Sequence, residues 1–166
     1  MSVVLSRLEG KEEKSRAVCR AFIENEMVKN AKNIALFISM LTEPDTTELF
    51  LSLRRAGKKT YAPRIVPDGM EFVEVTEKTV FTVGAFGIKE PQGDAYEGGF
   101  DVMAVPLVAF DEKNARLGHG KGYYDGFLKK HPCYTIGLAF SVQKKDVPVD
   151  PWDVPLNEIV TDQNSK

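Results

Sequence analysis

The chain has 166 residues with 22 Lys and Arg against 24 Asp and Glu, a formal net charge of -2. Apolar residues are 43% and charged residues 28%, a globular balance that excludes a disordered or fibrous chain. The near-even charge argues against a protein that coats nucleic acid or an anionic membrane.

A folded chain of this length buries roughly 70% of the surface its unfolded form exposes. One domain over residues 1–166 therefore needs no disulfide or metal to hold a core. Two cysteines, Cys19 and Cys133, and two histidines, His119 and His131, are too few for a disulfide scaffold or a spaced zinc set. They read as buried thiols in a reducing, cytoplasmic compartment. The longest near-apolar run, Val102 to Phe110, contains Pro106, and a membrane-spanning helix needs ~20 residues. Met1 to Lys14 has no apolar core of signal-peptide length.

Along the chain, Val18, Phe22 and Ile23 recur at near-helical spacing among charges and predict a helix over 11–29. Ile34 to Met40 is apolar and rich in strand formers, a buried strand. Asp45-Thr-Thr-Glu48 fits a helix start with an N-cap and a glutamate at N3. Leu49, Phe50 and Leu53 give that helix its apolar face, and Gly57 its C-cap. Lys58 to Ala62 reads as a strand stopped by Pro63. This strand–helix–strand spacing suits a parallel crossover unit. Glu71 to Val75 alternates like a half-exposed strand. Gly84 to Gly99, with its many glycines and Pro91, reads as loop. Phe100 to Val105 is strand, Gly122 to Lys130 helix, Tyr134 to Phe140 a buried strand, and Ile159-Val160 a short last one. Strands alternating with helices predict a three-layer α/β domain, with the strand order left open.

The most informative stretch is Arg116-Leu-Gly-His-Gly-Lys-Gly-Tyr-Tyr-Asp-Gly126. Gly118, Gly120 and Gly122 alternate, so the backbone can approach a ligand closely. A helix opening near Gly122 aims free N–H groups at the same spot, which suits a phosphate. Arg116, Lys121 and a protonated His119 add cations. Asp125, near the helix start, could hold Mg²⁺ against phosphate oxygens. The segment is neither a Walker A loop, since Gly122 follows Lys121, nor the dinucleotide pattern, since Tyr123 stands where the third Gly belongs. The same residues also suit a hairpin whose glycines only serve turns. Asp125 would then complement the helix dipole, and Tyr123 and Tyr124 would pack on the helix instead of stacking on a ligand.

This stretch resembles the signature of the 5-formyltetrahydrofolate cyclo-ligase (methenyltetrahydrofolate synthetase) family. There, a strand ending in Pro leads through a Phe-Asp turn, here Pro106 to Asp111, into the glycine run. Other parts agree in order: Phe37 to Met40 with Glu43 and Asp45-Thr46; Ala62-Pro63-Arg64; Phe86 to Pro91; Gly137 to Phe140 with Gln143; and Asp153 to Leu156 with Ile159 to Thr161. The resemblance covers roughly residues 5 to 161.

It implies a three-layer α/β/α fold with a mostly parallel or mixed sheet, of the kind shared with sugar-phosphate isomerases and CoA transferases. It implies an ATP- and Mg²⁺-dependent cyclisation of 5-formyltetrahydrofolate to 5,10-methenyltetrahydrofolate, with ADP and phosphate leaving. ATP is then a co-substrate and the partners are small molecules, with no nucleic acid or membrane and a monomer or weak homodimer expected. By the same resemblance, Arg116 and Lys121 are catalytic, and Gly118, His119, Gly120, Gly122 and Tyr124 join them around ATP. Met40, Glu43, Phe86, Gly87, Ile88 and Tyr123 line the folate side, and Asp125 and Asp153 hold the metal. Without the resemblance, Glu43 reads as a solvated loop acid and Asp153 as a turn cap.

The sequence departs from the family pattern at its start. Leu5 to Ser15 matches the family's second helix and the loop before it, so the earlier basic helix is expected to be absent; Lys11, Lys14 and Arg16 are nearby cations. Such a departure leaves a non-catalytic homologue that binds folate or nucleotide as the alternative. A smaller departure is Phe86, where the family often has Trp.

Overall fold

The computed structural model describes residues 10–84, 87–114, 116–118, 122–147 and 154–163, and of Leu117 the backbone only. Its helices are α1 (Lys11–Glu24), α2 (Glu26–Lys29), α3 (Thr47–Arg55) and α4 (Tyr123–Lys130). Its strands are β1 (Asn33–Ala35), β2 (Lys59–Val66), β3 (Gly69–Val75), β4 (Phe81–Val83), β5 (Lys89–Pro91), β6 (Val102–Val105), β7 (Ala109–Phe110), β8 (Arg116–Leu117), β9 (Tyr134–Leu138) and β10 (Glu158–Val160).

The main sheet runs β10-β9-β6-β1-β2-β3. β10, β9, β6, β1 and β2 pair in parallel, and β3 closes one edge antiparallel to β2. Two hairpins, β4–β5 and β7–β8, stand outside it. The central strands are buried on both sides, and their residues alternate between two apolar layers. Ile34, Val102, Ala104, Ile136 and Leu138 face one layer with Val18 and Phe22 of α1 and Leu49 and Leu53 of α3. Ala35, Tyr61, Met103 and Val105 face the other with Leu128 of α4. This is the expected three-layer α/β domain. Each fully buried Leu, Ile or Phe contributes roughly 1.5–3 kcal/mol of transfer free energy.

Several boundaries differ from the sequence reading, each for a local reason. The first helix breaks at Asn25, which adopts extended backbone and accepts the Met27 N–H at 2.9 Å, so its side chain starts α2. β1 ends at Ala35, well short of Met40. At α3 the helix follows Thr46, which makes no side-chain cap bond, and Asp45 supplies the capping carboxylate as expected. The Thr46 hydroxyl donates to the Phe37 carbonyl at 2.6 Å, while the Asp45 carboxylate accepts the Thr47 N–H at 2.9 Å. That amide holds the Asp45 pKa below the usual carboxylate value. Gly57 follows α3 as expected: its N–H bonds to Arg54 and that of Lys58 to Leu53, a Schellman closure. The stretch read as loop contains β5, paired with β4.

Pro63 does not stop β2, which continues to Val66. The Tyr61 carbonyl accepts from Leu36 on the β1 side, and alternation points residue 63 the same way. The pairing with β1 has already ended at Ala35↔Tyr61, so the missing Pro63 N–H costs no ladder bond. Beyond that point β1 and β2 part, and the chain after β1 is free to form a loop above the sheet.

Gly137 lies at the centre of β9. A Cβ there would come within 2.7 Å of Leu156, 2.9 Å of Leu107 and 3.2 Å of Ile159. Leu107 and Leu156 are fully packed, so they cannot yield freely. Gly137→Ala is expected to lower stability by about 1–3 kcal/mol, seen as a lower urea midpoint at unchanged slope. The two thiols pack against opposite layers, Cys19 with the first and Cys133 with the second. Burial, aided by the charges of Asp45 and Glu48, pushes Cys19 up to about 12; burial pushes Cys133 up to about 11. Both therefore stay protonated at pH 8. A thiol reagent at pH 8 should leave the folded protein essentially unreacted and modify both residues once urea is added.

Candidate active site

The loops that carry the predicted residues leave the sheet where its order reverses. From β1 the chain moves to β2 on one side, and it later returns as β6 on the other side of β1. In an open α/β sheet the crevice beyond the carboxyl ends of two such strands is where ligands bind. The loop after β1 holds Met40 and Glu43. The segment after β6 leads through β7 and β8 to Arg116, Gly118 and α4.

The loop after β1 is tied down along its length. The Glu43 carboxylate is buried, 3% exposed, and accepts the Met40 N–H at 2.7 Å; the Glu43 N–H donates back to the Met40 carbonyl at 3.0 Å. Ser15 of α1 accepts the Asp45 N–H at 3.0 Å, and the Cys19 thiol donates to the Asp45 carbonyl at 3.2 Å. Glu43 is thus not the solvated loop acid that its sequence context alone suggests.

On the other side, Arg116 lies on β8 with a side chain 7% exposed. Its Nη2 donates to Asp125 Oδ1 at 3.2 Å, and its guanidinium stands 5.8 Å above the Tyr124 ring. Its Nε is buried and has no hydrogen-bond partner among the described residues. The guanidinium folds back over Gly118, where a Cβ would meet Nη1 at 2.7 Å. Gly122 caps α4 with φ +68, a left-handed conformation that suits glycine. The free N–H groups of the first turn, Tyr123 to Asp125, therefore open beside Arg116.

The two sides meet at Tyr124. Burial raises its phenol pKa well above the usual value, the Glu43 charge raises it further, and Arg116 acts against both. The buried Glu43 side chain and the Arg116 guanidinium thus both act on one phenol, from positions more than 70 residues apart in sequence.

The structure brings together Glu43, Arg116, Gly118, Gly122, Tyr124 and Asp125, with Met40 and Tyr123 on the same loop and helix turn. Gly87 and Ile88 sit at the tip of the β4–β5 hairpin. There the Ile88 carbonyl accepts the Gly84 N–H at 2.8 Å, and Gly87 has φ +72. Glu90 ties that hairpin to the far half of β2, accepting the Ile65 N–H at 2.8 Å. Phe86, His119, Gly120, Lys121 and Asp153 lie outside the described residues.

Asp125 has protein partners where a cation was expected. Besides Arg116 it accepts the Val154 N–H at 3.1 Å. Among the described residues no group of three or more His, Cys, Asp or Glu gathers as a cation site. Ser15, Thr46 and Val154 support the site without any sequence signal of that role. Their bonds reach 30, 9 and 29 residues along the chain, and no local pattern reports such a pairing.

Comparison with known proteins bears on the family and the fold. The pattern of the 5-formyltetrahydrofolate cyclo-ligase family matches residues 4–162. The chain is 35% identical over 142 residues to 5-formyltetrahydrofolate cyclo-ligase of Escherichia coli (strain K12), covering 79% of this chain and 78% of that protein. It is 32% identical over 158 residues to the Mus musculus protein of the same name, covering 83% and 77%. The solved 5,10-methenyltetrahydrofolate synthetase of Aquifex aeolicus superposes with a TM-score of 0.83 at 34% identity, over 93% of this chain and 81% of that one. With the family's pattern spanning nearly the whole sequence and its fold reproduced, the chain belongs to the 5-formyltetrahydrofolate cyclo-ligase family.

Proposed function

We propose that this protein cyclises 5-formyltetrahydrofolate to 5,10-methenyltetrahydrofolate at the expense of ATP. The observation that carries the reading is the buried Arg116 guanidinium. It is nearly excluded from solvent, only partly satisfied by Asp125, and beside the open N-terminus of α4. A buried cation with an idle donor is costly unless an anion completes it. A helix N-terminus with glycine backbone around it adds donors for the same anion.

The chemistry assigns a task to each side. A formamide oxygen is a weak nucleophile, and a γ-phosphoryl group must be relieved of negative charge to accept it. In the first step the formyl oxygen bonds to the γ-phosphorus while the bond to ADP breaks. In the second, N10 attacks the activated formyl carbon and loses its proton, and the former formyl oxygen leaves within phosphate. The protein's part is positioning and charge neutralisation. Arg116 and Lys121 would cover the phosphates, the amides of Gly118 to Gly122 would cradle them, and Tyr124 would stand at the border with folate. Glu43 would accept hydrogen bonds from the pterin's amino and ring N–H donors. Met40, Tyr123 and the Phe86-Gly87-Ile88 loop would line that side.

Mg²⁺ fits as an ion that enters on the nucleotide, because it commonly keeps waters and substrate phosphates and takes only one or two carboxylates. Asp125 and Asp153 would be those carboxylates. The ion would supply further charge neutralisation at the phosphates. Two free thiols packed against the core suit a reducing, cytoplasmic setting, and no helix among the described residues is long and apolar enough to cross a membrane.

The test is a cyclisation assay with 5-formyltetrahydrofolate, ATP and Mg²⁺, following methenyltetrahydrofolate by its absorbance. Wild type should turn over only with ATP. Arg116→Ala and Lys121→Ala should each lose ~10²–10³-fold in kcat/KM, the range expected for a phosphate-neutralising cation. Folate and ATP binding without turnover in the wild type would instead identify a non-catalytic binding protein.

A further inference from the structure

We infer that Gln143 is a positioning residue for the phosphate side of the site. It lies in a 3-10 turn, Ser141–Gln143, just after β9, and is 1% exposed. Its Nε2 donates to two successive carbonyls, Leu107 at 3.1 Å and Val108 at 3.0 Å, and its Oε1 accepts the Phe140 N–H at 2.7 Å. Leu107 and Val108 lie between the end of β6 and the start of β7, outside either ladder. One side-chain amide thus replaces the sheet bonds that this piece of backbone lacks.

The bonds lead on to the site. After Val108 the chain forms β7, and β7 pairs Ala109↔Leu117 and Phe110↔Arg116 with β8. The turn that carries Gln143 grips the same strap again, with the Lys145 N–H donating to the Phe110 carbonyl at 2.8 Å and a parallel bridge between Phe110 and Lys144. Phe110 therefore holds Lys145 through its carbonyl and faces Arg116 across the hairpin. Gln143 fixes the root of this strap, and the strap fixes where the Arg116 guanidinium stands relative to the first turn of α4. A buried amide whose polar atoms all serve backbone is a costly way to fill space. It is well suited to holding two adjacent carbonyls in one orientation.

A clamp on the strap serves the phosphates and leaves the Glu43 loop alone, because that loop is held separately by α1 and by its own bonds. The effect of losing it should be one-sided. The inference rests on Arg116 being an ATP contact, so Arg116→Ala is measured beside the Gln143 variants. In full steady-state kinetics, Gln143→Met, close in volume but without the hydrogen bonds, should raise KM for ATP about tenfold and lower kcat about tenfold or more, the scale of a small misplacement of catalytic groups. KM for 5-formyltetrahydrofolate should stay within about twofold. Gln143→Asn, which keeps the amide on a shorter stem, should recover part of the loss. It also supplies the reading at low temperature if Gln143→Met does not fold.

A variant that melts earlier yet keeps both KM values and kcat would make Gln143 an ordinary core residue and overturn the inference. So would equal changes in both KM values. If Arg116→Ala itself leaves KM for ATP and kcat unchanged, the assignment of the phosphate site fails, and the clamp's role falls with it.

Discussion

The pairing of β1 with β6 is the contact on which both halves of the site depend. It is short, with Ile34 opposite Val102 and Ala35 opposite Met103. Its start is held by Asp101, whose carboxylate accepts the N–H groups of Lys32 and Asn33, both at 2.9 Å, while its own N–H donates to the Asn33 carbonyl at 2.9 Å. These amides hold the Asp101 pKa below the usual carboxylate value. The sign follows from linkage. A depressed carboxylate contributes stability above its unfolded pKa and loses it as pH falls through the folded value. One surface aspartate thus clips the two strands from whose far ends the Glu43 loop and the Arg116 strap depart. Neither loop needs to find the other, because the strands beneath them are already neighbours.

Above that pairing the energetics favour a site over a merely stable core. A buried ion pair is weak support for stability, since the cost of taking both charges from water offsets most of their attraction. The Arg116–Asp125 pair is incomplete as well, because Nε has no partner among the described residues and Asp125 is shared with Val154. The Tyr124 ring beneath the guanidinium recovers part of the cost. An apolar pair of similar volume would hold β8 against α4 with less expense. The arrangement makes sense when an anion supplies what the protein leaves unfinished.

The layers and much of the site were legible in the sequence, because they rest on local patterns. Apolar runs in β6 and β9, the amphipathic face of α3 and Gly122 at the start of α4 each report their own conformation. The resemblance then joined Glu43 to Arg116, which periodicity cannot do. What stayed hidden depends on tertiary context. Pro63 reads as a breaker until one sees that its bare nitrogen points where β1 has already ended. The Thr46 hydroxyl's bond to the Phe37 carbonyl joins residues nine apart, which no local pattern reports. The β4–β5 hairpin hides among glycines because two three-residue strands carry no detectable period. Strand order, and with it the reversal that places the site, has no local signature.

On the proposed assignment, the charges acting on Tyr124 would also set which substrate goes where. Glu43 on one side favours donors and repels phosphate; Arg116 and the amides of α4 on the other favour phosphate and offer nothing to a pterin edge rich in N–H groups. Both charges are buried, so water screens the discrimination little, and a substrate placed the wrong way round would face a like charge or an unpaired donor. Attraction alone would hold ATP and folate near each other in several arrangements. If the two substrates bind as proposed, repulsion at both ends would leave the one in which the formyl oxygen faces the γ-phosphate, with the Tyr124 phenol, kept neutral by its burial and by Glu43, within reach of both charges.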